Sequence, residues 1–150
     1  TAQEMFEACT AAWPDMDLGC MTAAVCDFRP EPHGSEKFKK TPGAAKGPKL
    51  ALVPNPDILA HLGGHKRPGQ RLIGFAAESS DLEANARGKL ARKNLDLVVA
   101  NPVNEPGCGF AAADNRALVL DAAGRIEEWP TLAKTEMAWR IWEWMLHLCA

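Results

Sequence analysis

The sequence lacks the features that mark membrane, secreted and nucleic-acid-binding proteins. No apolar run approaches the ~20 residues that a helix needs to cross a bilayer, and residues 1–10 do not form a signal peptide. The formal net charge is only −2, so the chain offers no general attraction for nucleic acid or an anionic membrane. These absences leave an ordinary globular domain as the class to consider.

Recognisable metal-binding and nucleophile motifs are also missing. The five cysteines include no Cys-x-x-Cys pair, which argues against a disulfide framework or zinc site and favours a reducing cytosol. His61 and His65 are four residues apart, but two glycines lie between them, so a shared helix face is not expected. Residues 107–110 lack the third glycine and following helix of a dinucleotide fingerprint, and Cys108 has no nearby histidine.

The chain is large enough to bury a core. It has 150 residues, 47% of them hydrophobic and 24% charged, which is typical of a globular protein. We expect a single domain over residues 1–150. Because the chain opens on Thr1 without an initiator methionine and its first residues have a mid-helix pattern, we expect it to be a fragment of a longer protein.

Hydrophobic periodicity predicts strands that alternate with helices. Residues 1–13 have helical periodicity, and residues 18–25 form a small, apolar run typical of a buried strand. The elements predicted next are a strand at 49–53, a helix from 55–58 to the glycines at 63–64, a βαβ unit over 72–101, a β-hairpin over 117–129 and a helix over 134–148. This order predicts an α/β, three-layer Rossmann-like fold with a mostly parallel sheet, a terminal β-hairpin and a C-terminal helix.

A capping box at residues 80–83 is predicted to open the helix of the βαβ unit. Two lysines lie near the C-terminal end of this helix. On a helical wheel, Leu82, Ala86 and Leu90 form the inward stripe, and Lys89 and Lys93 lie about 20° to either side of Leu82. Two interpretations are open. The lysines can stabilise the helix C-terminus by ~0.3–1 kcal/mol, or they can form an anion site for a polyphosphate.

Further candidates follow the predicted strands, where ligands of α/β sheets bind. Asp27 offers a carboxylate for a hydroxyl or metal, or serves as a turn residue. Ala23 and Ala24 permit close approach of a ligand, or simply pack tightly. Residues 55–58, Asn-Pro-Asp-Ile, have an asparagine cap and a proline at the first helical position, which predicts an anion-binding helix start or merely a well-capped one.

Two other segments have open interpretations. Lys37 lies in the basic sequence Lys-Phe-Lys-Lys of a loop rich in proline and glycine, which is either a solvated run or a flap that closes over a negatively charged substrate. The polar residues of the last helix form one narrow stripe, and its remainder is apolar. We expect such a helix to be buried on more than one side or to contact another subunit.

Seven blocks, in order and with matching separations, closely resemble the bacterial phosphopantothenoylcysteine synthetase family. The resemblance covers nearly the whole chain. The blocks are Ala-Ala-Val-Cys-Asp-Phe-Arg-Pro at 23–30, Lys-Phe-Lys-Lys at 37–40, Asn-Pro-Asp-Ile-Leu at 55–59, Gly-Phe-Ala-Ala-Glu at 74–78, Asn-Ala-Arg-x-Lys at 85–89, Arg-Lys-Asn-Leu-Asp-Leu at 92–97, and Gly-Phe at 109–110 with Asp-Asn at 114–115.

This resemblance implies a ligase of coenzyme A biosynthesis that joins 4′-phosphopantothenate to L-cysteine with CTP, through an acyl-cytidylate, and that requires Mg²⁺. It implies that Lys37 assists acyl-cytidylate formation and that Ala23, Ala24 and Asp27 form the floor where substrate and nucleotide meet. It implies a CTP site with the two lysines on the triphosphate and no metal ligand assigned to the protein. The implied CTP-binding residues are Asp27, Asn55, Pro56, Asp57, Ile58, Phe75, Lys89 and Lys93.

The resemblance also implies a cytoplasmic homodimer, fused to or associated with a flavin-dependent decarboxylase domain, with no flavin in this chain. The family's Gly-rich loop and essential asparagine precede the point where this sequence begins. Pro102 stands where the family usually has aspartate, alanines fill positions 111–113, and Ala133 replaces the usual serine cap. Alternatives are therefore a catalytically incomplete nucleotide-binding fragment or an α/β module without a ligand, and ATP in place of CTP.

Overall fold

The computed structural model describes residues 1–32, 49–102 and 113–149. Its helices are α1 (Ala2–Ala12), α2 (Ile58–Gly64), α3 (Leu82–Arg92) and α4 (Lys134–Cys149), with a 3₁₀ turn at Trp13–Asp15. Its strands are β1 (Leu18–Met21), β2 (Phe28–Pro30), β3 (Leu52–Pro54), β4 (Arg71–Glu78), β5 (Leu97–Pro102), β6 (Asp114–Asp121) and β7 (Ile126–Ala133). The predicted Lys37 and the segment 103–112 lie outside the described residues.

The main sheet has the strand order β1-β4-β5-β6-β7. Strands β1, β4 and β5 are parallel, whereas β6 and β7 form an antiparallel hairpin that continues the sheet beside β5. The predicted βαβ unit is β4-α3-β5, and the predicted hairpin is β6-β7. The expected α/β fold with a terminal hairpin and C-terminal helix is therefore confirmed.

Hydrophobic side chains pack on both faces of this sheet. On one face, α1, α2 and α3 cover Leu72, Ala76 and Val98. On the other face, α4 covers Ile73 and Val99 together with the hairpin. Because successive side chains of a strand point to opposite faces, neighbouring residues of β4 and β5 enter different cores. The result is the expected three-layer arrangement.

Two strand predictions were wrong in extent or partner. The first strand ends at Met21 rather than at residue 25, and the amide of Val25 bonds the carbonyl of Ala23 in a local turn. The strand predicted at 49–53 is β3, and it pairs with β2 in a separate antiparallel ribbon instead of entering the main sheet. Each ribbon strand is only three residues long and ends on a proline, Pro30 in β2 and Pro54 in β3.

Two helix starts differ from the predictions. Helix α1 lies where it was predicted, with Thr1 as its N-cap and Glu4 completing a capping box. Asp57, not Asn55, caps α2. The expected capping box of α3 is absent, because its N-cap residue Asp81 has a left-handed backbone and makes no capping side-chain bond.

The last helix is buried along one side only in the described structure. Met137, Ile141, Trp144 and Met145 face the core, whereas Trp139 and Trp142 remain 66% and 50% exposed. Contact of this outer face with another subunit stays a prediction. None of the helices in the described ranges is long and apolar enough to cross a membrane.

Candidate functional site

The two lysines of α3 point to the carboxyl ends of the strands and engage different partners there. Lys89 Nζ donates to the carbonyl oxygen of Phe75 at 2.6 Å, near the end of β4. Lys93 Nζ lies 3.0 Å and 2.8 Å from the two carboxylate oxygens of Asp57 at the start of α2. Both lysines are thus held by partners within the chain at the edge of a cleft, rather than extending freely into solvent from the helix end.

That cleft encloses a cavity of about 140 Å³ in which most of the predicted residues meet. Of the predicted site residues, Ala24 is exposed and does not line it, and the predicted catalytic Lys37 lies outside the described residues. The rest line the cavity, namely Ala23, Asp27, Asn55, Pro56, Asp57, Ile58, Phe75, Lys89 and Lys93. The carboxyl ends of the strands, where ligands of α/β sheets bind, therefore bring together residues that are up to about seventy positions apart in the sequence.

Asn55 joins the two chain segments that form one side of the cleft. Its side-chain nitrogen donates to the carbonyl of Cys26 at 2.8 Å, and its side-chain oxygen accepts from Arg29 at 3.1 Å. Its backbone amide donates to the carbonyl of Asp27. Asn55 therefore positions the Asp27 turn beside α2, which is a different role from the helix cap that the sequence predicted.

Asp57 takes the capping role and is at the same time the counter-ion of Lys93. Its carboxylate accepts from the amide of Ala60 at 3.0 Å. Burial alone raises the pKa of Asp57, but the hydrogen bonds from Lys93 and Ala60 outweigh it and the net pKa is lowered. One first-turn amide of α2 is thus already satisfied from within the chain, so the cations of α3 are the stronger anion-binding element.

Lys89 is a half-buried cation. Burial lowers its pKa, and repulsion from Lys93 lowers it further, against weaker opposing effects of Glu78, Asp57 and Asp27. A half-buried ammonium is partly desolvated, so the folded chain compensates its charge less well than water does. Lys89 is therefore a candidate partner for an anion in the cavity.

A second cavity of about 380 Å³ adjoins the first and shares both lysines. Three side chains that the sequence did not single out line it: Glu78, Asn85 and Arg92. Asn85 donates to Glu78 at 3.1 Å and to the carbonyl of Ser80 at 2.9 Å. Helical spacing could have indicated two of them, since Asn85 lies four residues before Lys89 and Arg92 three residues after it, on the same helix face.

The acidic groups of the two cavities do not form a metal cage. Asp27, Asp57 and Glu78 line the second cavity, yet the described part of the chain contains no group of three or more histidine, cysteine, aspartate or glutamate side chains that could hold a metal ion. The cavity has equal numbers of acidic and basic side chains. A strongly anionic ligand would therefore have to bring compensating charge with it.

A comparison with known proteins identifies the class. The family described as "DNA/pantothenate metabolism flavoprotein C-terminal domain" matches residues 1–148, and the chain belongs to it. The chain is 41% identical over 141 residues to the coenzyme A biosynthesis bifunctional protein CoaBC of Bacillus subtilis, covering 94% of this chain and 34% of that protein. It is 38% identical over 138 residues to a protein named cysteine/cysteine sulfinic acid decarboxylase from an unknown prokaryotic organism, covering 92% and 38%.

The structural comparison agrees with the sequence comparison. A crystal structure of the C-terminal domain of CoaBC superposes with a TM-score of 0.76 at 31% identity, covering 99% of this chain and 62% of that one. The resemblance to phosphopantothenoylcysteine synthetase is thus confirmed at the level of the family, as is relatedness to the C-terminal domain of the bifunctional protein. The chain spans about a third of the length of the curated relatives.

Proposed function

We propose that this chain is the ligase domain that joins 4′-phosphopantothenate to L-cysteine in coenzyme A biosynthesis, with CTP as co-substrate. The observation that carries the proposal is the convergence of Lys89 and Lys93 with Asp27, residues 55–58 and Phe75 on one cavity at the strand ends. Membership of a family that includes the C-terminal domain of CoaBC supports the choice of substrates.

In the proposed reaction the carboxylate of phosphopantothenate attacks the α-phosphorus of CTP and releases pyrophosphate. The amine of cysteine then attacks the acyl carbon, CMP leaves, and an amide bond is formed. Negative charge increases on the departing pyrophosphate in the first step, so positive groups held at that position stabilise the transition state. Lys89 and Lys93 have the required charge, and Lys37 is proposed to add a further positive charge from its loop.

Magnesium is proposed to enter with the nucleotide. Mg²⁺ commonly keeps several waters and binds substrate phosphates with one or two carboxylates, rather than a complete protein cage. The carboxylates described above do not by themselves form a metal site, so we assign no step to the ion. When bound, it would neutralise phosphate charge that the balanced acidic and basic side chains of the cavity leave uncompensated.

The proposed setting of the domain follows its relatives. We propose a cytoplasmic homodimer, fused to or associated with a flavin-dependent decarboxylase domain, with no flavin bound by this chain. The exposed outer face of α4, which includes Trp139 and Trp142, is a candidate subunit contact. ATP remains the competing nucleotide, since none of the contacts described above distinguishes the two bases.

Calorimetry with CTP and Mg²⁺ tests the site. We expect Lys89→Ala and Lys93→Ala each to weaken CTP binding by about tenfold or more, since a charged hydrogen bond contributes ~1.5–3 kcal/mol. Arg87→Ala is the matched control, because Arg87 lies on the same helix but pairs outward with Glu83. Equal CTP affinity in all four proteins, or no binding at all, would contradict the proposed site.

Pyrophosphate release with phosphopantothenate, cysteine and either CTP or ATP tests the reaction. We expect release that depends on phosphopantothenate and is abolished by Lys37→Gln. CTP binding without pyrophosphate release would instead identify this chain as a nucleotide-binding fragment. Faster turnover with ATP than with CTP would overturn the choice of nucleotide but not the ligase.

A further inference from the structure

Helix α3 presents a fourth polar side chain to the candidate phosphate site. Asn85, Lys89, Arg92 and Lys93 all line the second cavity, and on an α-helix these positions fall within an arc of about 100°. Arg92 lies next to Lys89 on the side away from Lys93. Arg92 thus lines the same cavity that both lysines line.

Arg92 differs from its neighbours in having no partner within the chain. Lys89 donates to the Phe75 carbonyl and Lys93 is paired with Asp57. Among residues 1–32, 49–102 and 113–149, Arg92 forms no ion pair and no side-chain hydrogen bond. The guanidinium of Arg92 can therefore bind a ligand without giving up a partner among the described residues, whereas the lysines must first exchange theirs.

The backbone of α3 leaves room for this side chain. Gly88 lies in the middle of α3, where glycine is less favourable than alanine. A Cβ added to Gly88 would lie 3.0 Å from Nη1 of Arg92, so the guanidinium folds back over the position that glycine leaves open. Folding back over the preceding turn directs Arg92 towards the N-terminal part of α3, which is the side of the strand ends and the cavity.

We propose that Arg92 binds the terminal phosphates of the polyphosphate ligand and gives the site its preference for a triphosphate or pyrophosphate over a monophosphate. This inference rests on the proposed function and assigns to that site a residue beyond those predicted from the sequence. A guanidinium presents several N–H donors in a fixed plane and binds phosphate oxygens in pairs, which a single ammonium cannot do. Arg92 is a binding residue in this scheme and takes no part in the acyl transfer.

The test measures the affinity of the wild-type chain for CTP, CMP and inorganic pyrophosphate at one fixed salt concentration, and repeats it for Arg92→Gln, Arg92→Lys and Arg87→Gln. Arg87→Gln removes the same charge from the same helix at a residue paired outward with Glu83. We expect Arg92→Gln to weaken CTP and pyrophosphate binding about tenfold and to leave CMP binding unchanged. Arg92→Lys should recover only part of the loss, and Arg87→Gln should match the wild type.

The outcomes separate this inference from the function on which it rests. If the wild type binds CTP and pyrophosphate and Arg92→Gln binds them equally well, the role of Arg92 is overturned while the nucleotide site stands. An equal loss for CMP and CTP would likewise overturn a role at the terminal phosphates. If the wild type binds none of the three ligands, both the site and the inference fail. Circular dichroism melting of each variant confirms that a loss of binding is not a loss of folding.

Discussion

Lys89 shows how a fold can hold a half-buried cation at the expense of stability. Its pKa is lowered, mainly by burial and then by Lys93, so the folded state disfavours its charged form. The pKa of Lys89 in the folded chain lies below its unfolded value of 10.5. The resulting loss of folding stability is therefore complete at pH values below the folded pKa. It fades as the pH rises towards 10.5. At neutral pH Lys89 is therefore charged, although its environment in the folded chain disfavours the charged form.

Lys89→Met should accordingly separate stability from binding. We expect polyphosphate affinity to fall by about tenfold or more, while the melting temperature at pH 7 stays equal to the wild type or rises. Between neutral pH and pH 10 the wild type should gain stability relative to the variant, because only the wild type loses the penalty. The measurements are calorimetric titration and melting curves over this pH range. A clear fall in melting temperature at pH 7 would show that the bond from Lys89 to Phe75 is structural.

At the scale of helices, α2 and α3 contact each other so closely that they position Asp57 and Lys93 as one unit. A Cβ added to Gly63 would lie 1.8 Å from the carbonyl oxygen of Lys93, and Asn94 donates from its side chain to the carbonyl of Gly63 at 2.8 Å. Both contacts involve backbone atoms, which cannot rotate away as a side chain can. The glycine is therefore required by the approach of the two helices.

Gly63→Ala should destabilise the protein by about 3 kcal/mol, because the helices must separate to admit one methyl group. Gly64→Ala is a close control, since it lies in the same helical turn and its added Cβ has no atom within 4 Å. We expect that control to be neutral or to stabilise by up to about 1 kcal/mol. Urea unfolding of both variants measures the difference. Similar unfolding free energies for the two would refute the close-approach explanation.

The same elements show what the sequence could and could not predict. The βαβ unit and the hairpin were predicted because their hydrophobic period is a local property of long segments. The cap of α2 was assigned to Asn55 because the sequence shows no neighbouring residue that would bond its side chain instead. In the structure Cys26 and Arg29 engage it from almost thirty residues away. The β2-β3 ribbon was missed for a similar reason, since three-residue strands that contain proline have no local pattern.

At the scale of the whole molecule, the sheet separates a binding end from a supporting end. The candidate site lies at the carboxyl ends of β1 and β4. At the opposite end, the Asp96 carboxylate binds Lys66 at 2.7 Å, Arg71 at 3.4 Å and the backbone amide of Leu72 at 2.8 Å. Arg71 also donates to the carbonyl of Leu148 at the end of α4. This cluster therefore links the chain before β4, the start of β5 and the last helix.

Asp96→Asn should destabilise the whole chain without touching the candidate site. The amide can still accept from Leu72, but it leaves Lys66 and Arg71 without their anion. Since the side chains of Lys66 and Asp96 are only 13% and 14% exposed, we expect the free energy of unfolding to fall by about 3 kcal/mol, in the range found when one partner of a buried pair is removed.

Glu83→Gln is the control, because it removes the anion of an exposed pair on α3 and should lower the free energy of unfolding by about 0.5 kcal/mol or less. Urea unfolding gives both values, and calorimetry below the unfolding transition should show unchanged polyphosphate affinity in Asp96→Asn. A loss of affinity in folded Asp96→Asn would mean that the two ends of the sheet are coupled.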